Sequence, residues 1–342
     1  MKLGVLTGGG DCPGLNPAIR AVVMRANQMG DEVIGILDGW KGLMEVNSRP
    51  IGLADVADIL NVGGTMLGTS RTNPAKSPDG LERVKKNIES LGLDALIAIG
   101  GDDTLGVANK LCQMGVKAVG VPKTMDNDIN GADYCIGYET AVEIVTEALD
   151  RLQTTARSHH RVIVCEAMGR EAGWVATAGG LAGGADYIII PEVPTSMDKI
   201  VEHLRKRREA GKTYSLIVVS EAADVEGLGA LDVKTKDAFG HERLDKRGLA
   251  EALAEKIEEL TGLETRATVL GHIQRGGSPS AFDRLLGTRL GVAAVDLVHK
   301  NEFGKLPILH HGRIVTMNLA EAVGINQKVD MDLYRVAEVF FR

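Results

Sequence analysis

Glycine-rich loops and neighbouring carboxylates in the first third of the chain have the residue types that bind phosphate. Residues 7–20 read TGGGDCPGLNPAIR, with three glycines before a turn and Pro17 near the start of a predicted helix. Residues 98–111 read AIGGDDTLGVANKL, with a glycine pair and two aspartates before Thr104, the predicted N-cap of a helix. Backbone N–H groups in such loops, backed by a helix N-terminus, bind anions. Both loops are candidate phosphate cradles, with a tight turn and a capped Asx turn as the structural alternatives.

Four aspartates near these loops suit metal binding and proton transfer. Asp102 and Asp103 repel each other at a predicted strand end unless a cation lies nearby. Mg²⁺ prefers one or two carboxylates, several waters and the phosphates themselves, so we predict Asp102 as its protein ligand. Asp126 and Asp128, two residues apart, share one face of an extended segment, where a buried carboxylate can accept a proton during phosphoryl transfer. A capped loop or a calcium-like cluster is the alternative for this pair.

A cluster of cationic residues in the last third of the chain suits a phosphate monoester. Residues 266–284 contain Arg266, His272 and Arg275, with glycines interleaved. Arginine forks and an imidazole together bind a phosphate dianion well. A purely structural histidine is the alternative, but its cationic neighbours favour a phosphate clamp.

Further candidates lie at the ends of predicted strands. Arg161 precedes the strand 162–165, and Met168, Gly169 and Arg170 follow it. Glu221 follows the strand 216–219, where a carboxylate can bind sugar hydroxyls, although a solvated loop explains Glu221 equally well.

The elements that must position these residues follow an α/β pattern. Short apolar, β-branched runs alternate with amphipathic segments, which is typical of parallel sheets with crossover helices. The predicted strands are 3–6, 32–37, 95–99, 118–121, 162–165, 187–190, 216–219 and 267–270, and the predicted helices are 16–29, 80–91, 104–114, 139–155, 198–210 and 246–260. Open α/β sheets bind ligands beyond the carboxyl ends of their strands, where most of the motifs fall.

The length of 342 residues exceeds what one hydrophobic core usually supports. We therefore predict two Rossmann-like lobes with mainly parallel sheets flanked by helices. The larger lobe is expected to comprise residues 1–138, joined by part of the tail at about 301–342, and the smaller lobe residues 139–300.

Composition excludes several classes of partner. The chain has 39 Lys and Arg against 46 Asp and Glu, a net charge of −7, which disfavours nucleic acid and anionic membranes. No apolar run approaches the ~18 residues of a membrane span, and the first residues do not resemble a leader, so we expect a cytoplasmic protein. The four widely spaced cysteines predict reduced thiols rather than a zinc site or disulfides.

Four motifs in order resemble the phosphofructokinase family. They are TGGGDCPGLNPAIR, PKTMDNDI, MGREAGW, and GHIQRGG with Arg266 five residues before it and Asp283-Arg284 after it. The resemblance extends from about residue 2 to about residue 300. It implies the phosphofructokinase fold and Mg²⁺-dependent phosphorylation of the 1-hydroxyl of fructose 6-phosphate. The larger lobe would then bind the phosphoryl donor and Mg²⁺, and the smaller lobe the sugar phosphate.

The resemblance also implies roles for the matching residues. Asp126 would be the general base toward the 1-hydroxyl, with Thr124 and Asp128 shaping its loop. Arg170 would stabilise the transferred phosphoryl group, and Gly10 would contact the donor. The remaining implied ligands are Arg71 for the donor, Met168, Gly169 and Glu221 for the sugar, and His272 and Arg275 for its 6-phosphate.

The resemblance further implies a homo-oligomer, a dimer or tetramer, because Arg161 and Arg266 match residues that reach into a neighbouring subunit. Bacterial ATP-dependent relatives bind effectors at a basic subunit interface. Of the matching positions here, Arg20 and Lys212 are basic, whereas Met24, Ala54 and Gln153 are not. We therefore predict weak or absent allosteric control.

Two departures from the ATP-dependent pattern concern the donor. ATP-using members typically carry glycine where this chain has Asp103 and Lys123. Asp103 would fill the space of an ATP α-phosphate and repel it, and Lys123 would neutralise a pyrophosphate leaving group. We therefore predict reversible transfer from pyrophosphate. The alternatives are an ATP-dependent or mixed-donor enzyme, and a regulatory sugar-phosphate-binding subunit, although such a subunit would be expected to lose Asp126 or Arg170.

Overall fold

A computed structural model describes residues 1–229, 244 and 247–341 of the chain. Its strands are β1 (Lys2–Thr7), β2 (Glu32–Ile36), β3 (Ser48–Ile51), β4 (Ala95–Gly100), β5 (Ala118–Pro122), β6 (Val162–Ala167), β7 (Tyr187–Ile189), β8 (Thr195–Ser196), β9 (Ser215–Ser220), β10 (Val225–Glu226), β11 (Thr265–Val269), β12 (Lys305–His310) and β13 (Arg313–Asn318). Its helices are α1 (Leu15–Gln28), α2 (Trp40–Glu45), α3 (Gly80–Ser90), α4 (Asp102–Gln113), α5 (Tyr138–His159), α6 (Trp174–Ala182), α7 (Met197–Glu209), α8 (Leu249–Thr261), α9 (Ala281–His299), α10 (Leu319–Ala322) and α11 (Met331–Glu338).

The predicted α/β class is confirmed, and each predicted strand overlaps an observed one. Each predicted helix also overlaps an observed one, although residue 246, the first of the predicted helix 246–260, lies outside the described residues. Among the described residues, no helix is both long and apolar enough to cross a membrane.

The described residues form two compact units. Unit 1 comprises residues 1–140 and 275–327, and unit 2 comprises residues 141–229, 244, 247–274 and 328–341. This division differs from the predicted lobes at residues 139–140, which belong to unit 1, and at two longer segments. Residues 275–300 belong to unit 1, because α9 packs on α1 and β5, and residues 328–341 belong to unit 2, because α11 packs on α6.

Unit 1, within the described residues, contains a seven-stranded sheet in the order β13-β12-β5-β4-β1-β2-β3. The central strands are parallel, and the edge strands β3 and β13 are antiparallel to their neighbours. Alternate residues of β4 enter different cores: Ile97 packs in a cluster with α1 and α9, and Leu96 packs in another with α3 and α4. Because both faces are covered, β4 is apolar throughout, which is why it was predictable as a buried parallel strand.

Unit 2, within the described residues, contains a four-stranded parallel sheet in the order β11-β6-β9-β7. Its core combines β6 and β9 with α7 and α8, and includes Val164, Ile200, Val219 and Leu253. On the side of α6, the hydroxyl of Tyr334 in α11 donates to the carbonyl of Ile188 in β7, at 2.9 Å. This hydrogen bond holds α11 against the sheet of unit 2.

Candidate active site

Three neighbouring strands of unit 1 bring the donor motifs to one edge of its sheet. Thr7 of β1 pairs with Ile99 of β4, and Gly100 pairs with Pro122 of β5. The loops that follow are therefore adjacent: the N–H of Gly8 donates to the carbonyl of Ile99 at 2.9 Å, and the N–H of Lys123 donates to that of Gly100 at 3.0 Å. The parallel register thus places both glycine loops beside Lys123.

Thr104 explains why these loops need glycine. A Cβ on Gly8 would lie 2.6 Å from Thr104 Oγ1, and one on Gly100 would lie 2.4 Å from Thr104 Cβ. The predicted N-cap role of Thr104 is wrong, because α4 begins at Asp102 and its N-cap is Gly101. The Thr104 hydroxyl is instead buried in the first turn and has no hydrogen-bond partner in the described part of the chain. It is a candidate phosphate ligand that was not predicted from the sequence.

Lys123 lies beneath the first glycine loop. Its side chain is buried, with 2% of the residue exposed, and Nζ donates to the carbonyl of Gly8 at 3.1 Å and to that of Gly10. Burial lowers the pKa of Lys123, and the nearby positive charge of Arg275 lowers it further. The ammonium therefore holds the first glycine loop through two hydrogen bonds and places a positive charge beneath this candidate phosphate cradle.

Arg275 adds a second cation at this loop. Its Nη1 donates to the carbonyl of Asp11 at 3.2 Å and lies 2.5 Å from the position of a Cβ on Gly10. Its Nε is buried and has no hydrogen-bond partner among the described residues. Arg275 thus contacts the first glycine loop within unit 1, whereas His272, with which it was grouped from the sequence, lies in unit 2. A role toward the 6-phosphate stays a prediction.

The loop before α3 forms hydrogen bonds with the first glycine loop. The N–H of Gly9, which has φ +79°, donates to the carbonyl of Ser70 at 3.3 Å, and the hydroxyl of Thr69 donates to the carbonyl of Gly9 at 2.7 Å. The next residue is Arg71, which is exposed. Its predicted donor contact is consistent with this placement.

Asp102 and Asp103 are the first residues of α4 and are half-buried. Oδ1 of Asp102 accepts a hydrogen bond from the N–H of Gly324 at 2.6 Å. The described residues contain no group of three or more His, Cys, Asp or Glu side chains able to hold a metal ion. Mg²⁺ needs only one or two carboxylates when phosphates and water complete its shell, so the oxygen ligands present fit this ion. Asp102 as its ligand stays a prediction.

The loop after β5 holds the predicted general base. Asp126 is buried, and its Oδ2 accepts from the hydroxyl of Thr124 at 3.3 Å, while the N–H of Asp126 donates to that hydroxyl oxygen at 3.2 Å. Oδ1 of Asp126 is also buried and has no hydrogen-bond partner in the described part of the molecule. A buried carboxylate oxygen without a partner is costly unless a ligand completes it. This oxygen is therefore a candidate acceptor for a substrate hydroxyl, and Asp126 as the general base stays a prediction.

Asn127 fixes the shape of this loop. Its φ is +55°, in the left-handed region that asparagine tolerates better than most residues. Its Nδ2 donates to the carbonyl of Asp133 at 3.1 Å, and its Oδ1 accepts from the N–H of Cys135 at 2.8 Å. Asn127, between the buried Asp126 and Asp128, thus uses its side chain to hydrogen-bond the backbone of residues 133 and 135. Asparagine is compatible with a left-handed backbone at this position but does not by itself predict one.

Three strand ends of unit 2 bring the sugar motifs together. Oε1 of Glu221, after β9, accepts from the N–H of Gly169 at 3.2 Å and from that of Arg170 at 3.0 Å, after β6. Arg170 has φ +53°, so Glu221 stabilises a strained turn. Met168 is joined to the segment after β11, because its N–H donates to Oε1 of the buried Gln274 at 3.3 Å. This role of Gln274 was not predicted from the sequence.

His272 lies in the short 3-10 helix Gly271–Arg275 and is exposed. Gln274 closes this turn by donating from Nε2 to the carbonyl of Gly271 at 3.1 Å. The imidazole is thus exposed on a turn that a hydrogen bond closes, where an incoming phosphate could reach it. The prediction of a phosphate ligand is consistent with this position.

Arg161 and Arg266 converge on one carboxylate of unit 2. Glu264 Oε1 lies 2.7 Å from Arg161 Nη2 and 2.6 Å from Arg266 Nη2. The hydrogen bond from Arg161 lowers the pKa of Glu264, which therefore stays ionised. Glu264 thus holds both partly exposed guanidinium groups, and Arg266 Nη1 also lies 3.3 Å from Oε2 of Glu258.

Known proteins are similar to this chain over its whole length. The phosphofructokinase family model matches residues 2–298. The pyrophosphate–fructose 6-phosphate 1-phosphotransferase of Amycolatopsis methanolica is 53% identical over 345 residues, covering 100% of both chains. ATP-dependent 6-phosphofructokinase 3 of Streptomyces coelicolor is 48% identical over 340 residues, covering 99% of both.

A solved structure has the same fold. The pyrophosphate-dependent phosphofructokinase of Marinobacter aquaeolei matches with a TM-score of 0.83 and 23% identity, over 97% of this chain and 86% of that one. The predicted fold is therefore confirmed. Relatives named for either donor have similar identity, so identity alone does not choose between pyrophosphate and ATP.

Proposed function

Because the chain belongs to the phosphofructokinase family, we propose that it transfers a phosphoryl group reversibly from Mg-pyrophosphate to the 1-hydroxyl of fructose 6-phosphate, giving fructose 1,6-bisphosphate and phosphate. The observation that carries the choice of donor is the buried ammonium of Lys123 beneath the first glycine loop. With pyrophosphate as donor the leaving group is a free phosphate, and a fixed cation at that position would neutralise its charge directly.

Arg275 and Asp103 support the same donor in different ways. The guanidinium of Arg275 at Asp11 adds a second positive charge to the cradle that holds Lys123. Asp103 lies in the first turn of α4, and by the family resemblance its carboxylate would occupy the space of the α-phosphate of ATP. A pyrophosphate ends before that point, so its binding carries no such repulsion.

The proposed mechanism assigns one task to each group. Asp126 accepts the proton of the 1-hydroxyl at its unpartnered Oδ1, and Thr124 orients this carboxylate through Oδ2. The bound Mg²⁺, held by Asp102, would neutralise phosphate charge. Lys123 and Arg275 stabilise the leaving phosphate, and the hydroxyl of Thr104 donates to it.

Unit 2 would supply the groups that bind the sugar phosphate. Glu221 fixes the turn that carries Arg170, which would stabilise the transferred phosphoryl group, and His272 would bind the 6-phosphate. The pair Arg161 and Arg266 would complete the same site in a neighbouring subunit, so we propose a cytoplasmic homo-oligomer, a dimer or tetramer. The remaining proposed contacts are Gly10 and Arg71 to the donor, and Met168, Gly169 and Asp128 to the sugar.

Steady-state kinetics with each donor tests this proposal. The purified protein would be assayed for fructose 1,6-bisphosphate formation with fructose 6-phosphate, Mg²⁺ and either pyrophosphate or ATP, each varied to saturation. We expect kcat/KM for pyrophosphate to exceed that for ATP by at least 100-fold. ATP turnover at a comparable rate would instead support the ATP-dependent or mixed-donor alternative. No product with either donor would reject a catalytic role.

A further inference from the structure

A short part of the C-terminal tail packs on the loop that carries Asp126. Asn326 forms an isolated antiparallel bridge with Ile129, and the N–H of Gln327 donates to the carbonyl of Asp128 at 2.9 Å. All of these residues belong to unit 1. The tail therefore pairs with the segment that follows Asp126, although this segment belongs to no helix or strand.

The side chain of Gln327 closes the same loop. Its Oε1 accepts from the N–H of Gly131 at 3.0 Å, and its Nε2 donates to the carbonyl of Ala132 at 3.0 Å. Because the N–H of Gln327 also donates to the carbonyl of Asp128, Gln327 provides hydrogen-bond partners for three backbone groups within residues 128–132. Unsatisfied backbone groups at a buried site are costly, so this pairing is a strong constraint on loop shape.

The loop needs such a constraint because its backbone is strained. Asn127 has φ +55°, and its side chain holds residues 133 and 135, which fixes only one end of the segment. A left-handed non-glycine residue costs about 1–3 kcal/mol and persists only where its surroundings enforce it. Gln327 supplies the enforcing contacts at residues 128–132.

The same tail segment reaches the predicted metal carboxylate. The N–H of Gly324, three residues before Gln327, donates to Oδ1 of Asp102 at 2.6 Å. This bond fixes one oxygen of Asp102 and so orients the other. Residues 324–327 therefore contact both the loop of the general base and the carboxylate assigned to Mg²⁺.

We propose that Gln327 is a positioning residue for phosphoryl transfer, which holds the Asp126 loop in its reactive shape through the backbone of residues 128–132. This inference rests on the proposed function of Asp126 as the general base. Gln327 has no assigned contact with substrate, so its removal should slow the chemical step and leave substrate binding largely intact. A loop displaced by even 1 Å can cost about 100-fold in rate.

The test compares Gln327→Ala and Gln327→Glu with the matched control Asn318→Ala. The control removes a polar side chain earlier in the tail that bonds only Glu321 Oε1 among the described residues. We expect Gln327→Ala to lower kcat 10- to 100-fold with KM for fructose 6-phosphate changed less than 3-fold. Gln327→Glu keeps the acceptor for Gly131 but loses the donor to Ala132, so its kcat should be intermediate. Asn318→Ala should resemble the wild type.

Hydrogen–deuterium exchange provides a readout that does not depend on activity. Gln327→Ala should increase exchange at residues 126–132 and leave β4 unchanged. The proposal is overturned if kcat of Gln327→Ala stays within 2-fold of wild type, if KM rises as much as kcat falls, or if exchange at residues 126–132 is unaltered. The kinetics use whichever donor the wild type accepts. A wild type inactive with both donors would reject the proposed function, whereas the exchange result would still decide whether Gln327 holds the loop.

Discussion

Replacement of Lys123 by methionine removes a buried charge and leaves an unbranched apolar side chain that is one atom shorter. The ammonium makes charge-assisted hydrogen bonds to the carbonyls of Gly8 and Gly10. Each such bond is worth about 1.5–3 kcal/mol, but burial of the charge opposes this gain, as the lowered pKa of Lys123 indicates. The two effects largely cancel, so we expect the free energy of unfolding to change by less than about 2 kcal/mol.

Catalysis should respond much more strongly than stability. Removal of one preorganised group that stabilises transition-state charge costs about 10²–10³ in rate, equal to about 2.7–4 kcal/mol. We therefore expect Lys123→Met to lower kcat/KM for pyrophosphate by 100- to 1000-fold. The assay is fructose 1,6-bisphosphate formation at saturating fructose 6-phosphate, with thermal unfolding measured in parallel. Lys110→Met, at an exposed position on α4, is the matched control.

The pH dependence gives a further measure of the same group. Because burial lowers the pKa of Lys123 below the ordinary 10.5, the ammonium should lose its proton at a lower pH than an exposed lysine. In the wild type, kcat/KM for pyrophosphate should therefore fall with rising pH before pH 10.5, and this fall should be absent in Lys123→Met. Activity of the variant within 3-fold of wild type would refute the proposed role of this charge.

Three other substitutions have definite expected results. Asp126→Ala should lower kcat by about 10²–10⁴ and change KM for fructose 6-phosphate only a few-fold, and a loss confined to KM would refute the general-base assignment. Val46 has φ +60° and is 45% exposed, so Val46→Gly should raise the free energy of unfolding by about 1 kcal/mol, which calorimetry would show as a melting temperature about 1–2 °C higher. Val62 is similarly exposed but lacks a positive φ, so Val62→Gly should give no such increase. Equal effects of the two substitutions would contradict the assignment of backbone strain to Val46. Replacing both Asp103 and Lys123 by glycine should admit ATP, measured by fructose 1,6-bisphosphate formation. A folded double variant that still rejects ATP would show that these side chains do not suffice to exclude it.

Features that depend on local pattern were predictable from the sequence. The buried parallel strands β4 and β5 are continuous apolar runs, and the loops after them carry the glycines and carboxylates of the candidate site. The start of α4 was predicted two residues late. Asp102 and Asp103 occupy its first turn, where acidic residues are favoured by the helix dipole, and this signal outweighs a threonine cap.

Features that depend on distant residues were not predictable. Gln274 is recognisable as a link only because β11 and β6 pair, which brings it to the N–H of Met168, 106 residues away. Gln327 likewise meets Gly131 across 196 residues. Gln327 lies in no recognisable motif, and although Gln274 lies inside GHIQRGG, that motif does not show which backbone group its side chain contacts.

Donor choice is tested most directly in one reaction that offers both donors. The protein would be mixed with fructose 6-phosphate, Mg²⁺ and equal concentrations of pyrophosphate and ATP, and followed by ³¹P NMR. We expect the pyrophosphate signal to decline as phosphate and fructose 1,6-bisphosphate appear, while the three ATP signals stay constant. Conversion of ATP to ADP at a rate similar to the loss of pyrophosphate would contradict the proposed preference for pyrophosphate as the donor.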